Sequence, residues 1–278
     1  MILITGAGGK TGRAIVSRLT DKGIKLRAWV RRPEACPAGC EPFIGDMENP
    51  KDWDRACMGI EKLYLICPNM HPHEVAIGRM ALVAAKAADV KHLVYHSVLH
   101  PQTQEMAHHW NKLQVEEMIF ASGVPFTILQ PTAYMQNLLP QWSRVTQDGI
   151  LHLPYPAEAP ISLIDLHDVA DAAALVLASN TFIGSTLELV GTHPLTQAEV
   201  CKVLAAELGR SVTFAEIDLK EWEAENITLP TYPRETLLAM FRYYAKYGLI
   251  GNPAVLRLVL GREPLTLAQF IANTVNGR

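Results

Sequence analysis

The stretch MILITGAGGKTGRAIVSRLTDKGIKLRAWV, residues 1–30, contains the pattern on which the rest of the chain is built. An apolar run from Met1 to Ile4 leads directly into glycines at positions 6, 9 and 12. A helical pattern follows until Gly23, and a second apolar run extends from Ile24 to Val30. A strand, a glycine turn, a helix and a strand within about thirty residues form a unit that binds a pyrophosphate at the N-terminus of its helix.

The three glycines predict a phosphate-binding turn. In such a turn one glycine permits the sharp bend after the strand, one lets backbone N–H groups approach the phosphates, and one lets the helix pack closely on the strand. The predicted cofactor-binding residues of this turn are Gly6, Gly9, Lys10, Thr11 and Gly12. Gly9-Lys10-Thr11 also suggests a P-loop, but that motif needs a further glycine where the chain has Ile4. A glycine turn that binds nothing is the remaining alternative.

The end of the second predicted strand favours NADP(H) as the cofactor. Folds that bind NAD(H) usually have an acid there, about 20 residues beyond the glycines, which binds the ribose 2′-hydroxyl. This chain has Arg31 and Arg32 at that place and no acid before Glu34. A guanidinium binds a 2′-phosphate that a carboxylate would repel, so Arg31 is the predicted ligand of that phosphate. The alternative is a solvated arginine pair at a strand end.

The composition is typical of a globular protein with a large core. The chain has 278 residues, of which 49% are hydrophobic and 19% charged, and a net charge of −3. This charge does not predict a nucleic-acid or membrane surface, and no apolar stretch reaches the ~18 residues of a membrane span. Because the first strand begins at Met1, we expect no signal peptide. The five cysteines then predict reduced thiols in a cytoplasmic protein.

Neither the cysteines nor the histidines form a familiar metal motif. Cys36 and Cys40 have three residues between them rather than the two of a CxxC motif, so a redox pair there is only an alternative to two ordinary loop thiols. The histidines include the pairs His71/His73 and His108/His109, but the chain has no HExxH sequence. We therefore predict no metal site.

Strands and helices alternate as far as residue 130, which predicts an α/β fold with a Rossmann-type doubly wound parallel sheet. We expect an NADP-binding domain at 1–130 and a smaller C-terminal α+β substrate-binding lobe at 131–278, partly interleaved with the first domain. In the lobe we expect a helix that Asp165 caps, a helix that the capping box Thr196 to Glu199 opens, and two or three further helices.

Ligands of such sheets lie outside the carboxyl ends of the strands. Asp46 and Ser97 follow predicted strands, and both are predicted cofactor-binding residues. Tyr134 and Asn137 follow the sixth strand and are one helical turn apart, so we predict that they line the substrate site. A buried capping role is the alternative for Asn137.

These motifs together resemble those of the NmrA-like family of atypical short-chain dehydrogenases/reductases. The shared stretches are TGAGGKTGR at 5–13, Arg31, GDMENP at 45–50, KLQVEEMIFASGVPFTIL at 112–129 and PTAYMQNL at 131–138. The resemblance implies a Rossmann fold that binds NADP(H). It also implies an oxidoreductase close to the phenylpropanoid, quinone and triarylmethane reductases, although the family includes redox-sensing transcriptional co-regulators as well.

The predicted proton donor departs from the usual pattern of short-chain dehydrogenases. Those enzymes use Tyr-x-x-x-Lys on the helix after the fifth strand, whereas this chain has His108 four residues before Lys112 and that tyrosine–lysine spacing nowhere. In the phenylpropanoid reductases a lysine at the place of Lys112 acts as general base. The resemblance therefore implies that Lys112 is catalytic and also contacts the cofactor. His108 is the second catalytic candidate, as a proton relay. The alternatives are a solvated surface lysine and a loop-edge histidine.

Two functions remain open at this point. The first is an NADPH-dependent reductase that transfers a hydride to a small, aromatic or conjugated carbonyl, quinone or enone. The second is a non-catalytic NADP(H)-binding redox sensor that regulates a protein partner, because a fold that lacks its usual acid can keep the cofactor and lose the chemistry. The retained Lys112 favours the enzyme. A homodimer or a protein partner is possible for either function.

Overall fold

The computed structural model describes residues 1–277, and a large parallel sheet organises its first half. The strands are β1 (Ile2–Ile4), β2 (Leu26–Val30), β3 (Glu41–Ile44), β4 (Lys62–Leu65), β5 (His92–His96), β6 (Phe126–Pro131), β7 (Ala133–Tyr134), β8 (Ile150–Leu153), β9 (Leu163–Ile164), β10 (Ser185–Leu189) and β11 (Thr213–Glu216). The large sheet has the order β10-β6-β5-β4-β1-β2-β3, and each neighbouring pair from β3 to β6 is parallel. The order β3-β2-β1-β4-β5-β6 is that of a doubly wound nucleotide-binding sheet, so the predicted fold is confirmed.

Helices connect these strands and form most of the second half. They are α1 (Lys10–Thr20), α2 (Pro50–Cys57), α3 (Glu74–Ala87), α4 (Ala107–Ser122), α5 (Trp142–Gln147), α6 (Leu166–Ala178), α7 (Gln197–Leu208), α8 (Leu219–Glu225), α9 (Thr231–Tyr247), α10 (Ala254–Leu260) and α11 (Leu267–Val275). Two 3₁₀ helices span Pro33–Ala35 and Met135–Gln141. Among the helices of residues 1–277, none combines the length and the apolar character that a membrane crossing requires.

The core lies on both sides of the central strands. Leu63, Tyr64 and Leu65 of β4 follow one another along the strand and are all 0% exposed, so both faces of the sheet are covered at this point. This explains why the strand appears in the sequence as a continuous apolar run rather than as an alternation of apolar and polar residues. Burial of each such large apolar side chain contributes about 1.5–3 kcal/mol.

The chain divides into two compact units. The first contains Met1–Gln104, His108–Gln130 and Val169–Leu187, and therefore most of the large sheet. The second contains Glu105–Ala107, Pro131–Asp168 and the described chain from Glu188 onward. Two small parallel sheets, β11 with β8 and β7 with β9, belong to the second unit.

Local capping signals of the second half are confirmed, but its element count is not. Thr196 and Glu199 form the predicted capping box at the start of α7, and the Asp165 carboxylate accepts a hydrogen bond from the backbone N–H of His167 at 2.7 Å. Within residues 1–277, four helices follow α7, rather than two or three. The prediction also missed the short elements β8, β11 and α5. Elements of four to six residues leave too few periods of an apolar pattern to be recognised.

Candidate active site

The glycine turn joins β1 to α1 in the first unit. Gly6 has a φ angle of +60°, the left-handed region in which glycine is favoured. A Cβ atom on Gly12 would lie 2.2 Å from the carbonyl oxygen of Gly6, so α1 packs against the turn more closely than any other residue permits. Gly9 is the exposed N-cap of α1, and none of the described side chains caps this helix. The first N–H groups of α1, at Lys10 and Thr11, are therefore positioned to bind an anion.

Arg13 ties the glycine turn to the segment that follows β2. Its Nε donates to the carbonyl oxygen of Gly8 at 2.9 Å, and its Nη2 donates to that of Ala35 at 3.0 Å. Arg13 was not among the predicted site residues, although it lies within the glycine motif. Its two hydrogen bonds hold the two loops together.

Arg31 is exposed immediately after β2. Its neighbour Arg32 lies 3.4 Å from Glu34, in an ion pair that is largely exposed to solvent. Exposed pairs of this kind contribute little stability, but they reduce the positive charge that Arg32 offers to a ligand. Of the two arginines, Arg31 is thus the better candidate for binding a 2′-phosphate.

Asp46 follows β3 and shapes its own loop. Its carboxylate accepts a hydrogen bond from the backbone N–H of Glu48 at 3.0 Å, and its own N–H donates to Asp52 at 2.9 Å. Three residues further on, Asn49 caps α2 by accepting from the N–H of Lys51 at 3.1 Å. The GDMENP stretch thus contains a strand end, a turn and a helix cap. Asp46 itself is exposed, and its second carboxylate oxygen is not part of the turn.

Lys112 of α4 is buried, with only 6% of its surface exposed, so the alternative of a solvated surface lysine is wrong. Its ammonium donates to Glu74 Oε1 at 2.7 Å and to the carbonyl oxygen of His96, at the end of β5, at 3.1 Å. The same nitrogen lies 5.3 Å from the centre of the Tyr95 ring. Three neighbouring groups therefore hold the ammonium in one place.

Glu74 is the partner of Lys112 that the sequence did not reveal. It is the first residue of α3, is 0% exposed, and also accepts a hydrogen bond from the Tyr95 hydroxyl at 3.1 Å. Burial alone would raise the pKa of Glu74, but the Lys112 ammonium and His108 outweigh burial and hold that pKa well below its usual range. In the sequence, an acid in the first turn of a helix looks like an ordinary partner of the helix dipole.

His108 lies in the same buried cluster, so its alternative interpretation as a loop-edge histidine is also wrong. It is 7% exposed, and its Nδ1 lies 3.5 Å from Glu74 Oε2. Within the described structure, neither of these two atoms has a hydrogen-bond partner. Burial, with a smaller effect of the Lys112 charge, lowers the pKa of His108, because Glu74 only partly opposes them. The neutral imidazole is thus favoured.

Ser97 follows β5 and is buried, but its hydroxyl is directed at another acid. It donates to the carboxylate of Glu116, which also accepts two hydrogen bonds from the Gln130 amide, both at 3.0 Å. Burial raises the pKa of Glu116, and these hydrogen bonds only partly oppose that effect. In this arrangement the Ser97 hydroxyl can accept a hydrogen bond from a ligand, but its proton is already donated.

The predicted substrate residues belong to the second unit. Tyr134 is half-buried at the end of β7, and Asn137 is exposed in the 3₁₀ helix that follows. Tyr134 is the N-cap of this helix, and a 3₁₀ turn contains three residues, so the two side chains are one helical turn apart, as predicted, but in a 3₁₀ helix. Pro140, which has no backbone N–H, lies within this short helix. The buried amide of the segment is Gln136, which donates to Asp165 at 3.2 Å and accepts from the N–H of Leu166 at 3.1 Å.

The glycine turn, Arg31, Asp46 and Ser97 follow β1, β2, β3 and β5 in turn. Parallel pairing of these strands through β4 places their carboxyl ends at one edge of the sheet. The Lys112 ammonium belongs to the same edge, because it binds the carbonyl oxygen of the last residue of β5. This is the edge where doubly wound sheets bind their ligands.

Known proteins resemble this chain over most of its length. A model of the NmrA-like family matches residues 1–271. The NAD(P)H azoreductase of Xenophilus azovorans is 29% identical, over 97% of this chain and 96% of the azoreductase. The (4-alkanoyl-5-oxo-2,5-dihydrofuran-3-yl)methyl phosphate reductase of Streptomyces griseus is 31% identical, over 84% of this chain and 82% of that enzyme. The crystal structure of the NADPH-dependent quinone oxidoreductase QOR2 of Escherichia coli, complexed with NADPH, superposes with a TM-score of 0.88 at 27% identity, over 99% of this chain and 100% of that one.

Proposed function

Because the chain belongs to the NmrA-like family, we propose that it is an NADPH-dependent reductase of small conjugated carbonyls, quinones or enones. The azoreductase and the quinone oxidoreductase are named for NAD(P)H and NADPH. The present chain is likewise an oxidoreductase, and its cofactor is NADP(H), as Arg31 predicts. The substrate class is our inference.

The three relatives act on acceptors that have a common feature. The names describe an azo compound, a quinone and an oxo-dihydrofuran whose ring double bond is conjugated with carbonyl groups. Each is a conjugated system that takes up a hydride at one end and a proton at the other. A conjugated acceptor of this kind is therefore the substrate class that we infer, with Tyr134 and Asn137 proposed to line its site.

The buried ammonium of Lys112 is the observation that carries the proposal. An ammonium has three N–H donors, and Lys112 donates two of them to Glu74 and His96. The third is available to a bound group. When a carbonyl is reduced, negative charge develops on its oxygen, and a buried, preorganised ammonium stabilises that charge strongly. We assign to Lys112 the donation of the proton. We assign to His108 the relay of a replacement proton from solvent, because a neutral imidazole can take up a proton at one ring nitrogen as it gives one up at the other.

The residues of the first unit fit the cofactor. NADPH supplies the hydride when it is bound. The N–H groups at the start of α1, beside a Gly12 whose Cβ would collide with the turn, are suited to the pyrophosphate. We assign Arg31 to the 2′-phosphate, and Asp46 and Ser97 to hydrogen bonds with the rest of the dinucleotide.

The decisive experiment measures NADPH oxidation with a panel of quinones, enones and azo compounds. We expect turnover by the wild type and a loss of about 10²-fold to 10⁴-fold in kcat for Lys112→Met, the usual contribution of a general acid. Lys22→Met is the matched control, because Lys22 is an exposed lysine. NADPH binding, followed by fluorescence titration, should persist in both variants.

Unchanged turnover in Lys112→Met would contradict the role of Lys112. Tight binding of NADPH without turnover of any acceptor would instead support the alternative function, a redox sensor with a protein partner. A cytoplasmic location stays a prediction, which the five free cysteines of the structure support.

Arg31→Ala tests the cofactor assignment separately. Loss of a charged hydrogen bond to phosphate, worth about 1.5–3 kcal/mol, should weaken NADPH binding by about 10-fold to 100-fold and leave NADH binding nearly unchanged. Arg32→Ala is the matched control, because Arg32 is engaged with Glu34. An equal loss for NADPH and NADH would contradict a contact with the 2′-phosphate.

A further inference from the structure

A second group of side chains in the first unit has the composition of a metal site. Glu48 lies in the loop between β3 and α2, whereas His71 and His73 lie in the loop between β4 and α3. One ligand atom from each of the three residues lies within 4.8 Å of the other two. The sequence showed the histidine pair but could not show the carboxylate, because Glu48 comes from a different loop.

Contacts already join these three residues. His73 Nδ1 is hydrogen-bonded to Glu48 Oε1, and the backbone N–H of His73 donates to His71 Nδ1 at 3.2 Å. The two imidazole rings lie 5.5 Å apart, centre to centre. The side chain of His73 is 62% exposed and that of Glu48 45% exposed, so an ion can reach them from solvent.

We propose that Glu48, His71 and His73 bind a divalent transition-metal ion, with Zn²⁺ as the best match. Two imidazole nitrogens and one carboxylate oxygen are a known ligand set of Zn²⁺, with water in the fourth position. Imidazole also suits Cu²⁺ and Ni²⁺, whereas Mg²⁺ and Ca²⁺ prefer sites made of oxygen atoms. The set therefore selects against the hard cations.

The existing hydrogen bonds limit the expected affinity. Binding of the ion to Glu48 and His73 replaces the hydrogen bond between them. His71 must also give up the hydrogen bond that its Nδ1 accepts, because a neutral imidazole has only one nitrogen with a free lone pair and the ion takes it, whether through Nδ1 or, after a change of tautomer, through Nε2. We therefore expect a dissociation constant on the order of micromolar, weaker than that of a four-ligand structural zinc site.

Such an ion would connect two functional loops of the first unit. Glu48 is two residues from Asp46, and His73 is the N-cap of α3, directly before Glu74. The proposal does not depend on the proposed reductase activity, because binding of the metal is measured without cofactor or substrate.

The test is calorimetric titration of the full chain with ZnCl₂. We expect one ion per chain and at least a 10-fold weaker association for each of Glu48→Gln, His71→Ala and His73→Ala. His193→Ala, which removes an exposed histidine elsewhere, should bind as the wild type does. Because the three ligands are not buried, circular dichroism should show an unchanged fold in all variants.

Thiols are the competing zinc ligands, so the double variant Cys36→Ser/Cys40→Ser is titrated in parallel. Retained binding in this variant supports the proposed site. Zinc binding that is lost in the double cysteine variant, or that persists in both His71→Ala and His73→Ala, would overturn the proposal. Failure of the wild type to bind zinc would overturn it as well.

Discussion

Lys112→Met should destabilise the protein strongly, because it leaves the carboxylate of Glu74 buried without its cation. Glu74 is 0% exposed and loses its hydrogen bond of 2.7 Å to the ammonium, while the Tyr95 hydroxyl remains. Breaking one side of a buried pair typically costs about 3–5 kcal/mol. Glu74 can limit this cost by taking up a proton, which at pH 7 costs about 3.7 kcal/mol from an ordinary pKa near 4.3. We therefore expect a loss of about 3–4 kcal/mol.

Adding Glu74→Gln to the Lys112→Met variant should recover most of the lost stability. In the double variant no charge remains at the pair, and the glutamine amide can still accept the hydrogen bond of Tyr95. We expect the double variant to lie within about 1–2 kcal/mol of the wild type, although it lacks the ammonium and stays inactive. Recovery of stability without recovery of turnover would separate the structural role of Lys112 from its chemical role.

Urea unfolding, followed by far-UV circular dichroism at pH 7 and pH 5, measures these free energies. At pH 5 the deficit of Lys112→Met should shrink to about 1 kcal/mol, because protonation of Glu74 costs little there. In the folded Lys112→Met variant, the pKa of Glu74 is raised above its value in the unfolded chain. The resulting loss in the free energy of unfolding is therefore present above the unfolded pKa and disappears as the pH falls to that value. The reasoning is refuted if Lys112→Met unfolds like the wild type, or if the double variant loses the sum of both single losses.

Three further outcomes follow from the first unit and from α7. Gly12→Ala should abolish NADPH binding and destabilise the fold by about 1–3 kcal/mol or more, because its Cβ would lie 2.2 Å from the carbonyl oxygen of Gly6. Gly9→Ala is the control, because its Cβ would lie 3.3 Å from the same oxygen, and this variant should unfold at the temperature of the wild type. Burial, with a smaller effect of a nearby lysine, lowers the pKa of His92 to about 4, so this residue's contribution to stability should be lost as the pH falls from about 6.5 to 4. Urea unfolding at a series of pH values gives the free energy of unfolding as a function of pH. His92→Asn should lower the slope of that free energy between about pH 6.5 and pH 4 by about 1.4 kcal/mol per pH unit, and an unchanged slope would contradict a buried neutral His92. Thr196→Ala removes the capping box and should cost about 1 kcal/mol in urea unfolding, whereas Thr196→Ser should cost almost nothing.

Features that depend on neighbours in the chain were predictable. The glycine turn needs a bend, open N–H groups and a close helix within a few residues, and the pattern of Gly6, Gly9 and Gly12 is typical of that combination. The capping box of Thr196 and the α4 span of Ala107–Ser122 likewise rest on local signals, and both are confirmed. The alternation of strands and helices was enough to predict the doubly wound sheet, because parallel strands need a connecting helix between them.

Features that depend on distant residues were not predictable. Glu74 and Lys112 are 38 residues apart and lie together at one edge of the sheet, where β4 and β5 end side by side. The sequence contains an acid and a lysine at two helix positions, and either is compatible with a solvated surface. Burial is a property of the packed chain, since it depends on every element that excludes water from a side chain. Only the tertiary structure, therefore, shows Lys112 to be a buried ammonium with a carboxylate partner, rather than one exposed lysine among many.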